Sequence, residues 1–376
     1  MSTAEAKISR NQILGWLREE NPERLKALFC TADRVRRQHL GNDVHLRGLI
    51  EFSNRCARSC CYCGLRRENI ALARYCMTSE EITDTARLAA GFGYGTVVLQ
   101  SGEDTTVSRE WITGLIRQII NETGLAVTLS LGERCPDDLL AWKNAGADRY
   151  LLRFETSNRE LYRQIHPPLP GCNNDRMAQL GTLRELGYEV GSGIMVGIPG
   201  QSHDDLANDI ETFRLLDLDM IGIGPFLPHP ATPLGCPTAE DRKVGTDQVP
   251  ATELMTLKTL ALTRIACPFA NIPATTALAT MNHEDGIERG LSSGANIIMP
   301  NLTPCNYRKQ YEIYPSKACH REPPHQYHQQ IQERISALGR TTGKGRGDSP
   351  NQERRRVSGQ TGNYNKEHRC RQHPGA

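Results

Sequence analysis

Apolar and polar positions repeat along the chain as short apolar runs followed by longer amphipathic stretches. Eight short runs end in Gly, Ser or charged residues, which is typical of buried parallel strands. The runs are 49–52, 96–99, 126–131, 150–152, 193–196, 220–223, 271–272 and 296–299. Helical periodicity follows most of them, over 79–92, 108–122, 136–145, 174–186, 203–216 and 250–266, with a weaker pattern over 276–294. This alternation predicts an α/β fold, a parallel (β/α)8 TIM-type barrel.

The two ends of the chain differ from this repeat. Apolar spacing over 9–40 predicts two helices, and hence an N-terminal helical extension over 1–43 ahead of a barrel over 44–338. The remainder, 339–376, has nine Lys and Arg against three Asp and Glu and almost no apolar residue. Such a segment cannot bury enough surface to offset its ordering entropy. The sequence therefore predicts a disordered basic tail over 339–376.

Charge and cysteine content narrow the functional class. The 45 basic and 43 acidic residues leave a net charge of +2, which gives no reason to expect nucleic acid or a membrane surface as partner. No apolar run reaches the roughly 18 residues of a membrane span, and no signal-peptide core precedes the first helix. We therefore expect a cytoplasmic protein, in which clustered thiols among the 13 cysteines bind metal rather than form disulfides.

Three cysteines form a compact motif directly after the first predicted strand. Cys56, Cys60 and Cys63 are spaced C-x3-C-x2-C, on a loop at the rim where barrel active sites lie. Three thiolates can serve three irons of a [4Fe–4S] cubane and leave the fourth iron open. Zinc and redox thiols remain alternatives, although a structural zinc site would need a fourth ligand, usually from a second pair. Cys61 interrupts the motif, and we interpret it as a bystander.

Polar residues follow the later strands, at positions that a barrel brings to the same rim. They are Ser101, Gly102, Glu103, Thr128, Ser130, Arg153, Glu155, Arg176, Thr275 and Thr276. A glycine at a strand end lets the backbone approach a ligand closely, and a charged pair is costly to bury without purpose. Each also has a structural alternative: an ordinary turn, a hydrogen-bonded hydroxyl inside the barrel, an ion pair or a surface arginine.

The cysteine motif, with the aromatic Tyr62 before its last cysteine, resembles the signature of the radical S-adenosylmethionine (SAM) superfamily. The resemblance implies that Cys56, Cys60 and Cys63 hold a [4Fe–4S] cluster and that SAM chelates the open iron. Reductive cleavage would then give a 5′-deoxyadenosyl radical, and the open iron implies oxygen sensitivity. The residues that this resemblance assigns to SAM binding are Tyr62, Ser101, Gly102, Glu103, Glu155 and Arg176.

Longer strings resemble the HydE-type [FeFe]-hydrogenase maturases from about residue 10 to 338. They are 47–54, 63–66, 99–104, 129–133, 147–153, 223–226 and 272–276. This resemblance implies that the radical acts on a small iron-bound cysteine complex carrying CO and cyanide, during assembly of the diiron subcluster of the H-cluster. It implies a partner maturase of the radical SAM tyrosine lyase type, a scaffold GTPase, and a reductant such as ferredoxin or flavodoxin. The implied substrate-binding residues are Ser101, Thr128, Ser130, Arg153, Thr275 and Thr276.

Two departures from the family pattern bear on the site. Some members carry three cysteines near the C-terminus, whereas this region holds Cys319, His320, His325 and His328. We therefore expect no second iron–sulfur cluster, with a Cys/His metal site as the alternative. Phe154 also occupies a position where the family pattern has a polar residue, and this difference could change the polarity of the cavity.

Three other functions remain open at this point. A methylornithine-synthase-like mutase would clamp an amino acid, and Arg153 is compatible with that activity. A biotin-synthase-like sulfur inserter would need inward-facing strand cysteines, and the predicted strands contain none. A non-catalytic metal-binding scaffold is the third.

Overall fold

The computed structural model describes residues 8–170, 174–236, 247–317 and 323–358. Two helices open it, α1 (Arg10–Leu17) and α2 (Pro22–Leu40), as predicted. Both begin at side-chain caps, because Ser9 accepts a hydrogen bond from the Gln12 N–H and Asn21 accepts two from the first turn of α2.

A parallel sheet forms the centre of the fold. Its strands are β1 (Asp43–Ser53), β2 (Thr96–Ser101), β3 (Ala126–Ser130), β4 (Arg149–Leu151), β5 (Glu189–Val196), β6 (Met220–Pro225), β7 (Ile297–Ile298) and β8 (Thr341–Thr342). They are ordered β6-β5-β4-β3-β2-β1-β7, with β8 beside β1. Single bridges from Met220 to Asn271 and from Pro273 to Ile297 close the ring between β6 and β7. The barrel prediction is confirmed.

The seventh predicted strand, 271–272, is not a regular strand in the structure and contributes only those bridges. Pro273 follows it directly and has no N–H to donate to a ladder, so regular pairing cannot continue. The short contact is still enough to join the two ends of the sheet.

Helices surround the sheet. They are α3 (Ser79–Gly91), α4 (Arg109–Thr123), α5 (Pro136–Asn144), α6 (Arg159–Ile165), α7 (Arg176–Glu185), α8 (His203–Leu215), α9 (Glu253–Ala266), α10 (Thr276–Met281), α11 (Gly286–Ser292), α12 (Cys305–Arg308), α13 (Pro324–Ala337) and α14 (Pro350–Ser358). Six of them, α3, α4, α5, α7, α8 and α9, correspond to predicted helices. The weak pattern over 276–294 divides into α10 and α11. No helix was predicted over α6, α12 or α13; α6 and α12 have seven and four residues, too few for a clear helical period.

The tail differs from its prediction between 339 and 358. There the chain forms β8 and α14, and Arg340, Ser349 and Asn351 are buried. The prediction of disorder is wrong for these residues because it counted apolar side chains, whereas polar contacts hold the segment. The rest of the predicted tail, 359–376, lies outside the described residues.

Within the described ranges, no helix combines the length and apolar character needed to cross a lipid bilayer.

Candidate functional site

A cavity of about 320 Å³ lies inside the barrel, and residues at the carboxyl ends of several strands line it. Every site residue predicted from the sequence lines it. They are Cys56, Cys60, Tyr62, Cys63, Ser101, Gly102, Glu103, Thr128, Ser130, Arg153, Glu155, Arg176, Thr275 and Thr276. The closure of the barrel thus brings together residues from β1 to the start of α10.

The loop after β1 carries the three cysteines and is fixed by backbone hydrogen bonds. The Ala57 N–H donates to the Glu103 carbonyl at 2.9 Å, and the Gly64 N–H donates to the Ile313 carbonyl at 2.9 Å. Burial raises the pKa values of the Cys56 and Cys60 thiols, and it raises the pKa of Cys63 to about 12. Without a cation the thiols are therefore neutral, and a bound metal centre would have to displace their protons.

Three cysteines are the protein ligands that an iron–sulfur cluster with one open iron needs. Among the residues that the structure describes, no three His, Cys, Asp or Glu side chains converge to hold one ion. In a cubane each thiolate binds a different iron, so three cysteines that line one cavity can serve three irons.

Cys61 lies apart from this set. Its N–H donates to the Ile165 carbonyl at 2.8 Å, and its thiol faces the Gln164 carbonyl at 3.4 Å. The thiol is therefore directed toward the end of α6 and does not line the cavity.

A buried network of charges connects the cysteine loop to the rim. The Arg58 Nε lies 2.7 Å from Glu103, its Nη2 lies 2.9 Å from Glu133, and the Arg176 Nε lies 3.0 Å from Glu133. Burial opposes the charge on Arg58, but Glu103 and Glu133 outweigh it and raise its pKa. Arg58 was not predicted as a site residue, although its position between Cys56 and Cys60 could have indicated that it lies at the site.

Arg176 is held on three sides. Besides Glu133, its guanidinium donates to the Arg153 carbonyl at 2.7 Å and meets His166 Nε2 at 2.7 Å. Burial, followed by the charges of Arg176 and Arg58, lowers the pKa of His166 to about 2. His166 is therefore neutral and accepts the arginine's hydrogen bond, a role that the sequence did not reveal.

Arg153 and Glu155 form an ion pair of 3.0 Å on the cavity wall. Arg153 Nε is buried without a hydrogen-bond partner, and Glu155 Oε2 contacts only Arg153 Nη2, so both atoms can still bind a ligand. Glu155 also has a φ of 63°, a strained backbone for a residue with a side chain and one that is enriched at functional sites. Phe154 between them packs on Phe213 in the core, 5.4 Å between ring centroids, and does not line the cavity.

The hydroxyl groups in the cavity differ in their availability. Thr275 Oγ1 donates to the Ile223 carbonyl at 3.0 Å and caps α10, and Ser101 Oγ donates to the Gly102 carbonyl. Thr128 Oγ1 is buried without a hydrogen-bond partner. Of these three hydroxyls, Thr128 therefore has the greatest unmet need for a ligand.

A second charged group was also missed. Arg47, Leu49 and Glu51 share the inward face of β1, as its period of two requires, and all three line the cavity. Lys317 forms a buried ion pair with Glu51 and lies 4.8 Å from the centre of the Tyr311 ring. Arg47 and Glu51 are charged residues within an otherwise apolar strand run, and this feature of the sequence could have identified them as site residues.

Two histidines of the C-terminal region, His325 and His328, lie within the described residues. His328 Nδ1 lies 3.1 Å from the Tyr94 hydroxyl, and the His328 and His325 rings pack on Phe92. Cys319 and His320 lie outside the described residues, so the expected absence of a second cluster stays a prediction, with a Cys/His metal site as its alternative.

Gly102 determines how closely the second strand approaches the cysteine loop. A Cβ built there would lie 2.2 Å from the Arg55 carbonyl oxygen and 2.9 Å from Cys56 Cβ. Gly102→Ala should therefore displace the loop and lower the iron content after anaerobic reconstitution. Gly114→Ala in α4, where nothing lies within 4 Å, is the matched control and should gain about 0.5–1 kcal/mol of helix stability. Equal iron in both variants would contradict this role for Gly102.

Comparison with known proteins gives consistent similarities. Residues 50–213 match the Radical SAM superfamily. The chain is 49% identical to the "[FeFe] hydrogenase maturase subunit HydE" of Thermotoga maritima, over 85% of this chain and 87% of the relative. It is 30% identical to the 3-methylornithine synthase of Methanosarcina acetivorans, over 77% and 79%. A crystal structure of methylornithine synthase superposes with a TM-score of 0.74 at 26% identity, over 90% of this chain and 95% of that one.

Proposed function

Because the chain belongs to the radical SAM superfamily and, within it, to the HydE-type [FeFe]-hydrogenase maturases, we propose that its barrel cavity is the site of SAM cleavage during hydrogenase maturation. The observation that carries this proposal is the convergence of the three motif cysteines and the predicted SAM residues on one cavity.

Cys56, Cys60 and Cys63 would hold a [4Fe–4S] cluster, with SAM on its fourth iron. When bound and reduced, such a cluster would supply the electron for cleavage of SAM to methionine and a 5′-deoxyadenosyl radical. The protein's contribution is to bind, orient and exclude water. The Arg58 network supports this assignment, since it ties the cysteine loop to Glu103 and Glu133 with buried ion pairs that leave the loop little freedom.

The SAM-binding assignment includes Tyr62, Ser101, Gly102, Glu103, Glu155 and Arg176. Glu155 Oε2 contacts only Arg153 Nη2, so it can still accept a hydrogen bond from a ribose hydroxyl. The Glu103 oxygens already accept from Arg58 Nε and the Glu133 N–H, so a SAM amino group would share this carboxylate with Arg58.

The substrate assignment is a small iron-bound cysteine complex carrying CO and cyanide. The deeper part of the cavity supports an anionic ligand, since Arg153 Nε and Thr128 Oγ1 are unpartnered donors on its wall. Ser101, Ser130, Thr275 and Thr276 would complete this subsite.

Partners and location extend the same proposal. A partner maturase of the tyrosine lyase type would supply the complex, a scaffold GTPase would receive the product, and ferredoxin or flavodoxin would supply electrons. A cytoplasmic, reducing environment suits a protein whose ten cysteines in the described ranges are all free thiols.

Anaerobic turnover tests the proposal. The reconstituted protein with SAM and dithionite should produce 5′-deoxyadenosine, and a synthetic iron–cysteine carbonyl–cyanide complex should accelerate its formation. The Cys56/Cys60/Cys63→Ala triple variant should produce none. Failure of a preparation containing four irons per chain would refute SAM cleavage.

A methylornithine-synthase-like mutase is the second candidate. The Arg153–Glu155 pair could clamp the carboxylate and amine of an amino acid, and the similarity to methylornithine synthase favours this alternative over sulfur insertion. Acceleration by lysine, with no response to the iron complex, would select it.

A further inference from the structure

The end of the barrel opposite the cysteines is closed by the C-terminal segment 343–349. Its Gly343 N–H donates to the Val44 carbonyl at 2.9 Å, and its Ser349 N–H donates to Glu189 Oε1 at 3.1 Å. The segment therefore spans the barrel end from β1 to β5.

Arg47 stands between this segment and the cavity. Its side chain lines the cavity, is 4% exposed, and has no carboxylate within ion-pair distance among the described residues. Its Nη1 contacts the Met220 sulfur at 2.9 Å, whereas its Nε has no hydrogen-bond partner. A buried cation with an unused donor is unfavourable unless an anion approaches it.

One carbonyl of the segment fixes this part of the cavity. The Gly347 oxygen accepts hydrogen bonds from Arg47 Nη2 at 2.9 Å and from Asn271 Nδ2 at 3.0 Å, and both donors line the cavity. The neighbouring Arg346 oxygen accepts from Thr96 Oγ1 at 2.8 Å and from Arg149 at 3.2 Å. The segment thus fixes the positions of the Arg47 and Asn271 side chains, although the segment itself does not line the cavity.

We propose that segment 343–349 is a positioning element of the substrate cavity, in which the Gly347 carbonyl directs the Arg47 guanidinium toward an anionic group of the substrate. This inference rests on the proposed function, because that function supplies the substrate. It gives the basic C-terminal region a specific role in recognition.

Two glycines of the segment provide a matched pair of variants. Both Gly345 and Gly347 have positive φ, +73° and +62°, so alanine strains the backbone similarly at either position. A Cβ at Gly347 would lie 2.7 Å from the His45 ring, whereas a Cβ at Gly345 would meet nothing within 4 Å. Only Gly347→Ala should therefore move the carbonyl that holds Arg47.

The test compares the KM for the iron–cysteine complex with the KM for SAM. Gly347→Ala should raise the first by about 10- to 100-fold, the equivalent of one charge-assisted hydrogen bond, and leave the second and kcat unchanged. Gly345→Ala should behave as the wild type. Adding His45→Ala to Gly347→Ala removes the ring that the new Cβ would meet, and it should restore most of the affinity.

An unchanged KM in Gly347→Ala, or an equal rise in Gly345→Ala, would overturn the proposal. A fall in SAM affinity alongside it would indicate general damage and would also count against it. Hydrogen exchange on the metal-free protein provides a check that needs no turnover. The peptide over 343–349 should be protected in the wild type and in Gly345→Ala, and less so in Gly347→Ala. Rapid exchange in the wild type would refute the proposal even if SAM cleavage were established, whereas protection without turnover would refute only the proposed function.

Discussion

Cys60→Ala should abolish 5′-deoxyadenosine formation, because it removes one of the three thiolates that would hold the cubane. The loss should far exceed the roughly 10- to 100-fold that removal of an outer-shell partner of a metal site causes. Iron content after anaerobic reconstitution and product formation with SAM and dithionite measure the two effects separately.

Cys61→Ala is the control next to it in the chain. Its thiol faces the Gln164 carbonyl and not the cavity, so iron content and turnover should stay near those of the wild type. If Cys61→Ala lost the cluster while Cys60→Ala retained it, the assignment of the ligands would be wrong.

Arg58→Met should give the largest loss of stability in the cysteine loop. Arg58 is 2% exposed and pairs with both Glu103 and Glu133, so its removal leaves Glu103 buried without its cation. Breaking a buried pair in this way costs about 3–5 kcal/mol. Urea unfolding of the metal-free protein measures the loss and separates it from any effect on the cluster.

Arg67→Met is the matched control in the same loop. The Arg67 side chain is 65% exposed and lies 3.4 Å from Glu68, a surface pair worth at most about 1 kcal/mol. Similar unfolding midpoints for the two variants would mean that the buried network contributes nothing beyond an ordinary surface contact.

The barrel could be predicted because its signals are local. A buried parallel strand needs a short apolar run, and an outer helix needs apolar residues on one face, so both leave a pattern over a few consecutive positions. The predicted strands and helices consequently agree with β1 to β7 and most of α3 to α11. The exception at 271–272 depends on Pro273, which limits pairing with strands distant in sequence.

The part of the candidate site that could be predicted is the part that short sequence motifs identify. The cysteine spacing and the polar strand ends indicated a shared rim, and the barrel brings these residues onto one cavity. Arg58, His166 and Lys317 were missed, because an isolated Arg, His or Lys is most often a surface residue and only its partners reveal otherwise.

The order of strands and helices, the cysteine motif and the family resemblance could all be inferred from the sequence, since each depends on residues that are neighbours along the chain. The pairing of Arg58 with Glu103 and Glu133, and the hydrogen bond from Arg47 to the Gly347 carbonyl, became known only from the folded structure. These contacts join residues 45 to 300 positions apart. Their energy comes from burying charges and carbonyls opposite suitable partners, and no local pattern of apolar residues records that arrangement.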